Sequence, residues 1–76
     1  MQNDLIKLLE IGWSVHFEWH AKRMDGNFDA RAVWRAEIKG NKFENDDWEG
    51  FKTQKECVED FVNFATSKNT VDKYQL

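Results

Sequence analysis

Apolar and polar residues alternate without a break from Trp13 onward. Trp13, Val15, Phe17, Trp19 and Ala21 fall on one side, and Ser14, His16, Glu18, His20 and Lys22 on the other. A period of two describes a β-strand with one face in a core and one face polar, the pattern of an antiparallel sheet covered on one side. A second alternation follows, with Ala32, Trp34, Ala36 and Ile38 opposed to Arg31, Val33, Arg35, Glu37 and Lys39. Between them Asp25-Gly26-Asn27 is turn chemistry, although the stretch from Met24 to Asp29 reads as too long for a tight hairpin. Gly40-Asn41 reads as a two-residue turn with Gly first, delivering the chain into a third strand at Lys42-Phe43. Phe43 and Trp48 are five residues apart and cannot both face inward without a bulge or break near Asn45 to Asp47, so an irregular, acidic edge strand is expected. Acidic side chains on an edge also discourage pairing with other chains.

Helical spacing brackets these strands. Asn3 or Asp4 can cap a short first helix whose Leu5, Leu8 and Leu9 share a face and which Gly12 ends. Thr53-Gln54-Lys55-Glu56 is a capping box. The helix that it opens carries a core stripe of Cys57, Val58, Phe61, Val62 and Ala65, flanked by Phe64, and turns Glu56, Glu59, Asp60 and Asn63 to water until Ser67 to Asn69. The expectation is an α+β fold: a short N-terminal helix, a three-stranded antiparallel sheet and a C-terminal helix (αβββα), with both helices on one sheet face. Residues 1–69 form a single domain, and residues 70–76, without a sustained period, read as a flexible tail from which Val71, Tyr74 and Leu76 can fold back.

Composition narrows the function classes. At 76 residues a single core gives only a few kcal/mol of net stability. Four Trp and six Phe supply large buried areas from few positions. One cysteine, Cys57, leaves no disulfide framework and points to a reducing cytoplasm. No signal-peptide pattern and no run of eighteen apolar residues is found, so no membrane association is expected. Net charge is −3, but it is unevenly spread. His16 to Lys42 holds six Lys/Arg against four Asp/Glu, whereas Phe43 to Asp60 holds two Lys against seven acids.

Catalytic chemistry finds little support in these residues. The four glycines stand singly, which excludes a phosphate-cradling loop or a nucleophile elbow. Cys57 lies on the inward stripe of its helix, where a thiol is a packing group. Asp46 and Asp47, with Glu44 and Glu49 beside them, lack the contrasting environments that set two carboxylates to acid and base roles. His16, Glu18 and His20 alternate on one strand about 7 Å apart. Three ligands from one strand converge poorly, so no metal and no cofactor are expected.

Two surfaces remain. Glu44, Asp46, Asp47, Trp48 and Glu49, continued by Glu56, Glu59 and Asp60 if the helix packs beside the third strand, form an acidic patch able to imitate nucleic-acid phosphates in a basic groove of a partner. Trp48 would be its anchor, if exposed. The same residues are also what a charged edge and a solvated helix face require. The alternative surface is the open sheet face with His16, His20, Lys22, Arg31, Arg35 and Lys39, suited to a phosphate backbone or an acidic protein. A solvated face with cross-strand pairs such as Glu18 with Arg35 accounts for those residues equally.

Residues 3–67 resemble double-stranded RNA-binding domains in element order. The family's contact motifs are missing: Met24 to Asp29 has no Gly-Pro-His, and Lys52-Thr53-Gln54-Lys55-Glu56 offers two lysines where the family has a cluster. The order, small size and acidity also resemble certain phage-encoded anti-CRISPR inhibitors, which block a CRISPR nuclease by mimicking DNA charge. That resemblance implies a non-enzymatic inhibitor, phage- or mobile-element-encoded and acting in the host cytoplasm, whose partner is a protein with a basic surface. The alternative is a nucleic-acid-binding module using the open sheet face.

Overall fold

A computed structural model describes residues 2–24, 26–46 and 49–76, and the side chains of these apart from residues 2, 22–24, 27 and 28. The elements run α1 (Gln2–Glu10), β1 (Ser14–Met24), β2 (Asn27–Ile38), β3 (Asn41–Glu44), α2 (Gln54–Thr66) and α3 (Lys68–Tyr74). The strands form one antiparallel sheet in the order β1-β2-β3. The α+β architecture read from the sequence is thus present, with one helix added.

β2 is the central strand, and its even positions supply the core: Ala32, Trp34, Ala36 and Ile38 are buried. α2 covers them with Cys57, Phe61, Val62 and Ala65, the stripe that its period dictates. Phe61 is fully buried at the meeting point of Trp13 (5.4 Å between ring centroids), Phe17 (6.0 Å) and Trp34 (5.2 Å). α1 closes with the Trp13 N–H donating to the Leu8 carbonyl, which turns the chain so that Leu8 and Trp13 both enter the core. Leu9, expected on the same face, is 46% exposed. Trp13 Nε1 is buried without a hydrogen-bond partner, whereas Trp34 Nε1 donates to the Asp60 carboxylate at 2.9 Å.

Both hairpins depart from the sequence expectation in their turns. Met24 pairs with Asn27, so β1 and β2 are joined by two residues and the expected long loop is instead strand. Its short alanines and polar positions mask a ladder that the neighbouring strand imposes. At the second turn Ile38 pairs with Asn41, which makes Lys39-Gly40 the turn rather than Gly40-Asn41. Both central residues have positive φ, 50° and 81°. That is the geometry that matches strand twist, and Lys39 accepts a conformation normally left to Gly or Asn. The shift places Phe43 beside Ala36 on the core face, where its ring meets Trp13, Phe64 and Tyr74.

Residues 70–76, read as a flexible tail, continue a helix that starts at Lys68, and Tyr74 and Leu76 fold back onto the core. Ser67 breaks α2, and α3 then lays Tyr74 against Phe43 at 5.0 Å, buries Thr70 and returns Leu76 to the core. Three apolar contacts spaced over seven residues give too weak a period to be read from sequence alone.

Candidate functional site

The bulge or break expected near Asn45 to Asp47 is where the site is built. β3 keeps its ladder to Glu44, opposite Arg35. Asn45 then bonds Trp34 twice, its N–H donating to the Trp34 carbonyl (3.3 Å) and its side-chain Oδ1 accepting from the Trp34 N–H (3.0 Å). The chain next leaves the sheet and returns at Phe51, which pairs with Ala32 through bonds of 2.8 and 2.9 Å. Asn45 and Phe51 thus meet β2 at Trp34 and Ala32, two residues apart. Gly50 lies on Val33, which explains why a residue of the open sheet face is buried.

The excursion leaves a groove of about 490 Å³ between itself and α2. Trp34, Phe51 and Phe64 give it aromatic walls, and Glu44, Asp46 and Asp60 bring carboxylates to it, with Asn63 alongside. No lysine or arginine is among these lining residues. On the opposite side of the excursion a smaller space of about 290 Å³ is shared by His20, Val33, Trp34, Arg35 and residues 44–46.

Of the acidic residues singled out in the sequence, the structure brings Glu44, Asp46 and Asp60 together. Asp47 and Trp48 lie outside the described residues. Glu49 is half-buried in the excursion, and Glu59 half-buried on α2. Glu56 is exposed and tied to the helix start, where its N–H donates to Thr53 Oγ1 (3.1 Å) and its carboxylate accepts from the Thr53 hydroxyl (3.1 Å) rather than from the Thr53 N–H. Asp60 does not simply face water: it is half-buried and holds the Trp34 indole. Asn63, Phe51 and Phe64 escaped the sequence reading as site residues. Asn63 follows Asp60 by three positions on one helix face, and that spacing is the signal in the sequence by which it can be found.

The open sheet face is arranged differently. Glu18 sits among basic side chains, with its Oε2 3.3 Å from His20 Nε2 and 4.0 Å from His16 Nε2, and its Oε1 4.0 Å from Arg35 Nε. The hydrogen bond with His20 is the main cause that holds the Glu18 carboxyl below its ordinary pKa, with the charges of His20, His16 and Arg35 adding to it. Arg31 is bound to Asp29 at 2.8 Å. Lys39, in the turn rather than on the face, donates to the Gln75 carbonyl at 3.1 Å. The Lys22 side chain lies outside the described residues. Carboxylates thus stand beside Arg31, Arg35 and both histidines, which lowers the potential that a phosphate backbone would meet. Among the described residues no group of three or more His, Cys, Asp or Glu side chains is placed to hold a metal ion.

Cys57 is fully buried, and burial, with the Asp60 charge as a lesser cause, pushes its thiol pKa up to about 11. A native thiol of this kind is expected to react with a disulfide reagent at least about 100-fold more slowly than in the urea-unfolded chain. Absorbance of the released thiol at pH 8 measures this, and comparable rates in the two states would show that Cys57 is accessible.

No family model matches the chain, and no curated protein or solved structure matches it. No described helix is long and apolar enough to cross a membrane.

Proposed function

We propose that this chain is a non-enzymatic binding protein whose acidic groove takes a lysine- or arginine-bearing segment of a partner protein. The observation that carries the reading is the convergence of Glu44, Asp46 and Asp60 on a groove walled by Trp34, Phe51 and Phe64, with no lysine or arginine among its described lining residues. A basic side chain has two needs, an apolar surface for its stem and an anion for its head, and this lining offers both. In its finer form the partner surface is one that otherwise holds nucleic acid, and the protein inhibits by competition, steered by charge. That form follows the anti-CRISPR-like topology and acidity and belongs to the same proposal.

An oligoarginine peptide serves as the probe, with binding followed by calorimetry and by NMR shift mapping. The expected result is shifts at Glu44, Asp46, Asp60 and Asn63, and at least a tenfold loss of affinity in the double variant Glu44→Lys, Asp46→Lys. Asp60 is left intact because it holds Trp34. Equal binding by the double variant, or shifts confined to another face, removes the groove reading. Binding of short RNA duplexes that maps to His16, His20, Arg31 and Arg35 and falls steeply with salt would put the sheet face in its place.

A further inference from the structure

The other edge of the sheet is built for a strand that the chain itself does not supply. β1 is eleven residues long and lies at the edge, with no strand beyond it among the described residues. Its register with β2 is continuous from Ser14 to Met24, so no bulge interrupts it, and the sequence has no proline to blunt it. β3, the opposite edge, has four residues and ends in the acidic excursion.

The direction of the free backbone groups follows from the bonds already described. The N–H and C=O of Ala32 are taken by Phe51, and those of Trp34 by Asn45, so both point away from β1. Ala32 stands opposite Trp19, and Trp34 opposite Phe17. In an antiparallel ladder such pairs are the non-hydrogen-bonded ones, and the backbone groups of Phe17 and Trp19 therefore point outward. By the same alternation so do those of Val15, Ala21 and Arg23. The row is centred on Trp19, the midpoint of β1, a residue that is 48% exposed.

We propose that a second copy of this chain occupies that edge, with β1 pairing antiparallel to β1 about a twofold axis at Trp19 and the two sheets joined into one of six strands. This register is the one that uses the whole strand. It sets Trp19 against Trp19 and Phe17 against Ala21 on the apolar face. On the polar face Glu18 of each copy meets His20 of the other, whereas a register centred on Glu18 would oppose the two carboxylates. The charge pattern of the strand is thus complementary to itself about its own midpoint. The surface is separate from the acidic groove, which lies beyond β2.

Sedimentation equilibrium of the full chain tests the pairing, together with two cysteine variants and one proline variant. The expected mass is twice the 9.1 kDa of one chain. Under mild oxidation Trp19→Cys is expected to cross-link at least about tenfold faster than Ser14→Cys, since paired positions on neighbouring strands lie within disulfide reach and Ser14 would face Met24 of the other copy. Cys57, being buried, does not compete. Ala21→Pro removes an outward N–H without touching the β1–β2 ladder, and is expected to raise the dissociation constant at least about tenfold with the circular dichroism unchanged. A single-chain mass at every concentration up to about 0.5 mM overturns the proposal. So does equal cross-linking at the two cysteine positions, which decides the matter alone if the proline variant fails to fold.

Discussion

Phe61→Ala is expected to leave about half of the molecules unfolded at room temperature. The ring is fully buried and is the one that Trp13, Phe17 and Trp34 all touch, so it ties the end of α1, β1 and β2 to α2. Removing a buried phenyl group costs about 3–5 kcal/mol, partly from lost transfer energy and partly from the cavity that remains. A domain of this size has about 3–5 kcal/mol in total from one core. The cost and the reserve are therefore equal to within their spread. Phe61→Leu keeps most of the volume and is expected to lose under about 1.5 kcal/mol. Urea titration followed by tryptophan fluorescence reads both variants, because two indoles border the cavity. An alanine variant whose midpoint stays close to that of the leucine variant would show that α2 and the sheet are held by contacts other than this ring.

The same residue shows what patterning alone can reveal. The period of the α2 stripe and the alternation in β2 both follow from burial, so Phe61 and Trp34 were readable as facing core positions before any coordinate was known. The capping box at Thr53 is equally legible, and so is the end of the third strand near Asn45. The turns were not. Lys39 at positive φ and the pairing of Met24 with Asn27 are imposed by the ladder around them, and local propensity opposes or ignores them.

The candidate site was legible in its charges but not in its shape. Glu44, Asp46 and Asp60 stand sixteen residues apart at the extremes, and only the return of the chain at Phe51 decides that they share a groove. Asp60 illustrates the limit further. Its place on the polar side of α2 predicted a solvated carboxylate, yet Trp34 needs an acceptor for its buried indole N–H, and Asp60 provides it. Likewise the alternation in β1 identifies one apolar face, but nothing within the strand tells that Trp19 on that face is 48% exposed while Trp13 is buried.

Gly50→Ala is expected to destabilise the fold and to weaken partner binding together, since this glycine closes the excursion that forms the groove. It is buried at φ +77°, and an added Cβ would lie 2.7 Å from the Ala32 carbonyl oxygen and 3.1 Å from Arg31 Cβ and Val33 Cγ1. The nearest obstacle is backbone, and that oxygen also accepts the Phe51 N–H, so relief requires the segment to move off β2. Positive φ costs about 1–2 kcal/mol, and loosening the two Ala32–Phe51 bonds adds about 1 kcal/mol each. The sum, about 3–4 kcal/mol, approaches that of the core deletion. Gly40→Ala is the control: its φ of +81° carries the same conformational penalty, but no atom lies within 4 Å of the new Cβ. A loss of only about 1–2 kcal/mol is expected there, with the groove intact. Urea midpoints and oligoarginine titrations of the two variants separate strain from displacement. If both variants lose equal stability and keep full affinity, the contact of residues 49–51 with β2 does not shape the groove.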